Sequence, residues 1–312
     1  MSLESAAETA VHQCMNLQPD ETCLIVTDDE REAIGAALYD AAAAVTDEAI
    51  ILRYPPGEQH GEEPAAPVGA ALKATDVFLA PTTKSLSHTR ARSEATDAGA
   101  RGATLPGITE EVMIEGLDAD YEAIAAACEA LLTLLEDATE IQITTPLGTD
   151  ITVEPGDRPW QDDTGINHDP GDFSNLPAGE VFVSPETANG TYVVDGTMMP
   201  HGRLDEPIEF TVEDGYVTEI GDDAIREQVE TAADEVGRAA YNLAELGIGT
   251  NGGVTDLVGS VLLDEKAAGT VHLAIGDDAG IGGDTEAPLH LDGIITDPTV
   301  AADGEPVDLP AP

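Results

Sequence analysis

Apolar positions along the 312-residue chain follow two different rhythms. In the first part, short apolar runs at 22–27, 49–53 and 76–80 alternate with helical stretches. The first helix is Ala-rich and runs from the cap Asp29 to about Ala44. Others cover 66–75 and 91–98, the last stopped by Gly99. A strand-like 103–105 and a long helix at 120–136 follow. Strand–helix alternation predicts parallel pairing with helices on the sheet faces. After Glu140 the rhythm becomes that of hairpins. Runs 141–145 and 150–154 flank Pro146-Leu147-Gly148, runs 181–183 and 191–194 flank a turn at Asn189-Gly190, and runs 208–212 and 216–220 flank Asp214-Gly215. A helix from Asp222 to about Leu243 precedes strands at 270–275 and 289–295, and the tail 306–312 reads as loose. The expected fold class is α/β: an N-terminal parallel-sheet α/β domain at residues 1–140, then a C-terminal α+β domain at 141–312.

Charge changes this picture. The chain carries 62 Asp and Glu against 12 Lys and Arg, a net charge of −50. Nucleic acid and anionic membranes both require a basic footprint, so neither is expected as a partner. Disorder is excluded because 42% of residues are hydrophobic and fall in periodic runs. The acids extend from Glu4 to Asp308. Their mutual repulsion reaches about 10 Å at ordinary ionic strength and only about 3 Å near 1 M salt. Such a surface reads as halophilic, suited to a salt-rich cytoplasm. No basic-then-apolar segment opens the chain. The longest apolar stretch, 123–135, is interrupted by Glu129 and too short to span a bilayer. Cys14, Cys23 and Cys128 form no Cys-x-x-Cys pair and read as buried small hydrophobes.

Against so acidic a background, most carboxylates carry no information. Glu180, Glu245, His272, His290 and Asp292 stand out because they lie in apolar, Gly-flanked stretches. His290 and Asp292 are two apart on a strand, so they project from the same face. His272 lies on the strand 270–275, Glu180 opens a strand after Gly179, and Glu245 follows the predicted end of the long helix. Singly, each has an ordinary explanation as a core histidine or a surface acid. Together they suggest a buried cation site, since a carboxylate among apolar residues is tolerated when it coordinates a cation. Gly247 to Gly252 fits G-x-G-x-x-G but follows a predicted helix instead of a strand, so it reads as a turn beside the site. Three of the nine arginines, Arg90, Arg92 and Arg101, fall close together and could orient a substrate carboxylate.

Five strings in this order carry a family likeness: 176–185, 188–191, 242–251, Glu265-Lys266 with 269–272, and His290-Leu291-Asp292. They resemble the thermophilic aminopeptidases, dinuclear metallopeptidases of the aminopeptidase T and aminopeptidase S type. Segment 83–92 with 99–101 resembles that family's N-terminal domain. The resemblance implies a metallo-aminopeptidase whose metal ligands are Glu180, Glu245, His272, His290 and Asp292. It further implies two divalent ions (Zn, Co or Mn), a metal-activated water, short peptide substrates and a homodimer. These peptidases carry a catalytic tyrosine shortly after the first histidine, whereas 276–283 here reads Gly-Asp-Asp-Ala-Gly-Ile-Gly-Gly. The same fold is similar to dihydroxypyridine ring-cleaving dioxygenases with one Fe(II). His272, His290 and Asp292 alone would form their two-histidine, one-carboxylate set. An inactive metal-binding relative is the third expectation.

Overall fold

The runs at 22–27 and 76–80 contain almost no polar residues because both lie inside a parallel sheet covered on its two faces. In the computed structural model, which describes residues 2–311, strands Cys23–Asp28 and Val77–Thr82 are buried along their whole length. The sheet order is Ala49–Tyr54, Cys23–Asp28, Val77–Thr82, Arg101–Pro106, Phe173–Asn175. All of its pairings are parallel. Ala49–Tyr54 lies at the edge and leaves Ile50 and Ile51 exposed. This sheet and its helices form one compact unit, Met1–Ala125 with Asp163–Ala178. The chain returns to it late, and the short strand Phe173–Asn175 covers the free edge of Arg101–Pro106.

Two of the clustered arginines, Arg92 and Arg101, are occupied within this unit. Arg101 is buried, and its guanidinium donates to both carboxylate oxygens of Glu21, at 2.6 and 2.8 Å, and to the Met15 carbonyl. Arg92 Nε donates to the Ser87 carbonyl at 2.7 Å, and its guanidinium lies over the Phe173 ring. Arg101 is thus a structural tie. Its hydrogen bonds, outweighing partial burial, hold the Glu21 carboxyl below the usual carboxylate range. A depressed carboxyl stabilises the fold above its unfolded pKa, and that stability is lost as pH falls through the folded value. Arg101→Met should cost about 2 kcal/mol at neutral pH. Urea titrations should show the deficit shrinking below about pH 4.

The second unit is Ala126–Asp162 with Gly179–Pro312, and the helix Tyr121–Leu135 carries the chain into it. One seven-stranded sheet contains Tyr216–Ile220, Ile208–Glu213, Thr187–Val194, Asp150–Glu154, Ile141–Thr144, Thr299–Ala302 and Glu305–Val307, in that order. The hairpin at 141–154 forms as the sequence suggests. Asn189-Gly190 is not a turn: it lies within the continuous strand Thr187–Val194. A β-carbon on Gly190 would fall 2.3 Å from the Asp150 carbonyl oxygen, so glycine permits close strand approach there. The tail begins as a strand, Glu305–Val307, paired antiparallel to Thr299–Ala302.

The long helix Asp223–Val236 ends at Gly237, earlier than its apolar pattern suggests. A short 3₁₀ turn, Gly237–Tyr241, then leads into the strand Leu243–Gly249. The three cysteines are buried and form no disulfide with one another. No helix among the described residues is long and apolar enough to cross a membrane. With 62 acids and 12 cations, surface ion pairing can neutralise few of the carboxylates. Raising KCl from about 0.1 M to about 2 M should therefore raise the thermal unfolding midpoint by screening repulsion. A flat or falling midpoint would contradict this.

Candidate metal centre

The second sheet of this unit brings Glu180–Val183, Leu243–Gly249, Val271–Gly276 and His290–Ile295 side by side. Their register places Glu180 opposite Gly249, Gly247 opposite His272, and Glu245 opposite Ala274. Ala274 in turn faces Asp292, and Gly276 faces His290. Opposed residues share a sheet face, as do residues two apart along a strand. Glu180, Glu245, His272, His290 and Asp292 therefore all project from one face, over a floor of Gly247, Gly249, Ala274 and Gly276. The opposite face carries Val181, Val183, Leu246, Ile248, Val271, Leu273 and Ile275, all fully buried in the core. Strand alternation alone separates the polar cluster from its apolar backing.

The five side chains converge. His272 Nε2 lies 3.2 Å from Glu245 Oε1 and 3.4 Å from Glu180 Oε2. His290 Nε2 lies 3.3 Å from Glu245 Oε2 and 3.2 Å from Asp292 Oδ1. Two groups of three offer ligand atoms within 4.8 Å of one another: Glu180, Glu245 and His272, and Glu245, His290 and Asp292. Glu245 belongs to both.

Two residues not singled out as site candidates complete the cluster. Lys266, almost fully buried, contacts Glu180 and lies 2.8 Å from Glu265 Oε1. Its presence in an apolar setting was the available signal, because the chain has only three lysines. Gly247 was read as part of a turn, yet it is a strand residue under the His272 ring. A β-carbon there would fall 2.1 Å from His272 Nε2. Gly247→Ala should displace the imidazole and weaken divalent-metal affinity by about 100-fold, measured by competitive chelation on folded protein. Unchanged affinity would remove His272 from the site.

Acids and imidazoles are crowded closely enough in this site to shift one another. Burial pushes the Glu180 carboxyl up to about 8 despite the Lys266 ammonium. Burial also raises Glu265, with Lys266 opposing it. For Glu245 burial is overruled by hydrogen bonds from His272 and His290, which hold it well below the usual carboxylate range. The same contacts overcome burial at His272 and lift its imidazole to about 9. Glu180 Oε2 and His272 Nδ1 are buried without a hydrogen-bond partner. Two imidazoles and three carboxylates clustered within reach of one another fit a divalent cation held by nitrogen and oxygen donors.

A sequence model of the family described as NicX, 2,5-dihydroxypyridine 5,6-dioxygenase, matches residues 3–308. The curated 2,5-dihydroxypyridine 5,6-dioxygenase of Pseudomonas putida is 27% identical over 177 residues, covering 51% of this chain and 50% of that protein. The match thus spans half the length of that relative. The solved 2,5-dihydroxypyridine dioxygenase from Pseudomonas putida KT2440 superposes with a TM-score of 0.80 at 20% identity, over 99% of this chain and 97% of that one. Wild-type AmpT from Thermus thermophilus gives 0.67 at 20% identity, over 98% and 96%. At such identities both likenesses speak for the fold alone. The expected metallo-aminopeptidase, a hydrolase and protease, is overturned by the family match. The aminopeptidase likeness survives only as shared architecture. Across nearly its whole length, this chain belongs to the 2,5-dihydroxypyridine 5,6-dioxygenase family, NicX.

Proposed function

We propose that the protein is a ring-cleaving dioxygenase that holds one Fe(II) through His272, His290 and Asp292 and acts on a dihydroxylated pyridine. The observation that carries this reading is the presentation of two imidazoles and a carboxylate on one sheet face by neighbouring strands, in a chain of this family. Two histidines and one carboxylate leave coordination positions open, and bound Fe(II) supplies a redox-active centre for dioxygen chemistry. Glu245 touches both imidazoles and fixes their orientation. Glu180 and Lys266 close the buried end of the cluster. His290 is the most open of the five, one third exposed, and marks the side from which a planar ring can approach. The small floor of Gly247, Gly249 and Ala274 leaves room above the sheet.

Anaerobic reconstitution with Fe(II) at high salt, followed by metal analysis and an oxygen electrode, tests the proposal. The expected result is about one iron per chain and oxygen uptake matched by loss of 2,5-dihydroxypyridine absorbance. Two ions per chain would mean that both three-residue groups are filled. Absence of both iron and oxygen uptake would sink the reading.

A further inference from the structure

Residues 276–283, where the aminopeptidase resemblance calls for a tyrosine, form a Gly- and Asp-rich segment that contacts His290. His290 Nδ1 lies 2.7 Å from the Asp277 carbonyl oxygen. A carbonyl only accepts, so Nδ1 carries the hydrogen and Nε2 is the nitrogen turned toward Asp292 and Glu245. Asp278 is 1% exposed and lies beyond the metal cluster. Its Oδ2 accepts from Arg158 Nη1 at 3.2 Å, Ser184 Oγ at 3.0 Å and Asn242 Nδ2 at 2.9 Å. Its Oδ1 accepts from the Thr285 amide at 2.6 Å. One carboxylate thus joins four separate stretches of chain.

The Asp277 carbonyl and the Asp278 amide belong to one planar peptide unit, so fixing one fixes the other. The Asp278 N–H donates to the Thr285 carbonyl at 3.0 Å, and the Asp277 N–H to that of Leu289 at 2.8 Å. Asn242 also pairs with Gly276, the residue preceding the segment, through a backbone bond of 2.8 Å. A β-carbon on Gly283 would fall 2.0 Å from Asp278 Cγ, so the segment folds tightly over this carboxylate.

We propose that Asp278, held by Arg158, Ser184 and Asn242, is a positioning residue that aims the Asp277 carbonyl at His290 and so turns Nε2 toward the metal position. The inference rests on the reading of His290 as a metal ligand. Such outer partners are worth about 10- to 100-fold in metal affinity. The test uses the full-length chain with Asp278→Ala, Arg158→Met and the conservative Arg158→Lys. Two quantities are read: the exchange-protected Nδ1–H proton signal of His290 in metal-free protein, and the Fe(II) dissociation constant from chelator competition. Asp278→Ala and Arg158→Met should lose the signal and weaken Fe(II) binding by about 10- to 100-fold, while Arg158→Lys stays close to wild type. If Asp278→Ala does not fold, Asn242→Ala and Ser184→Ala, each removing one donor, take its place. A lower melting temperature with the signal and affinity both intact would overturn the inference. If the wild-type chain shows the signal yet binds no Fe(II), the metal reading fails, and the positioning role falls with it although the hydrogen bond stands.

Discussion

Replacing His272 with alanine should leave a folded protein that no longer retains iron. The ring is buried on a central strand, with Nε2 turned to Glu245 and Glu180. In the proposed two-histidine, one-carboxylate set, losing this imidazole would leave two donors, too few to hold Fe(II) against a chelator. Iron should fall from about one per chain to about a tenth or less, and oxygen uptake with it. Asp292→Ala should behave alike. Glu180→Gln gives the contrast: Glu180 is paired to Lys266 and lies outside the proposed ligand trio, so most of the iron should remain. Glu245→Gln should fall between, at about 10- to 100-fold weaker binding, because Glu245 orients both imidazoles. If Glu180→Gln empties the site while Asp292→Ala does not, the ligand assignment is wrong.

The largest expected loss of stability belongs to Lys266→Met. Its ammonium contacts both Glu180 and Glu265, and all three are largely buried. Breaking a buried pair by removing one partner costs about 3–5 kcal/mol where the remaining carboxylate stays charged and enclosed, and less where Glu180 holds a proton. For the metal-free chain this corresponds to a fall in the unfolding midpoint of about 10 °C. The sign with pH follows from Glu180, whose carboxyl is already raised to about 8. A raised carboxyl stabilises the fold fully below its unfolded pKa, and that contribution is lost as pH rises through the folded value. Without Lys266 the carboxyl rises further, so the deficit should grow as pH rises through about 8, where only the wild-type Glu180 ionises. The double variant Lys266→Met with Glu180→Gln should recover part of the loss. A deficit that does not change with pH would point to packing instead of charge.

Much of this arrangement could be read from residue order. Short apolar runs separated by Ala-rich helices announced the parallel sheet, because strands buried on both faces have no polar side to show. His290-Leu291-Asp292 announced its shared face through simple alternation. The strand Leu243–Gly249 was missed because its apolar residues continue the helical pattern of Asp223–Val236 without a visible break. Glu245-Leu246-Gly247-Ile248-Gly249 nevertheless alternates with period two, large residues to the core and small ones under the site. Arg101 drew notice as a candidate anion holder, but a buried arginine bound to Glu21 cannot be distinguished in sequence from one facing a ligand. The reaction class was misread for a related reason. Glu180, Glu245, His272, His290 and Asp292 are general cation donors, and donors alone do not distinguish hydrolysis from oxygen chemistry. The departure lay in the segment 276–283, which offers no phenol and instead supports His290 from behind.

The late return of residues 163–178 to the first sheet makes the two units interleaved in sequence. A cut near residue 140, where the pattern changes, would remove Phe173–Asn175 and uncover the edge of Arg101–Pro106. Such an open edge invites pairing with other chains. Neither unit can therefore be lifted out as a contiguous piece. Recombination between relatives would succeed only by exchanging two segments at once, which ties the inheritance of the parallel-sheet unit to that of the metal-binding sheet.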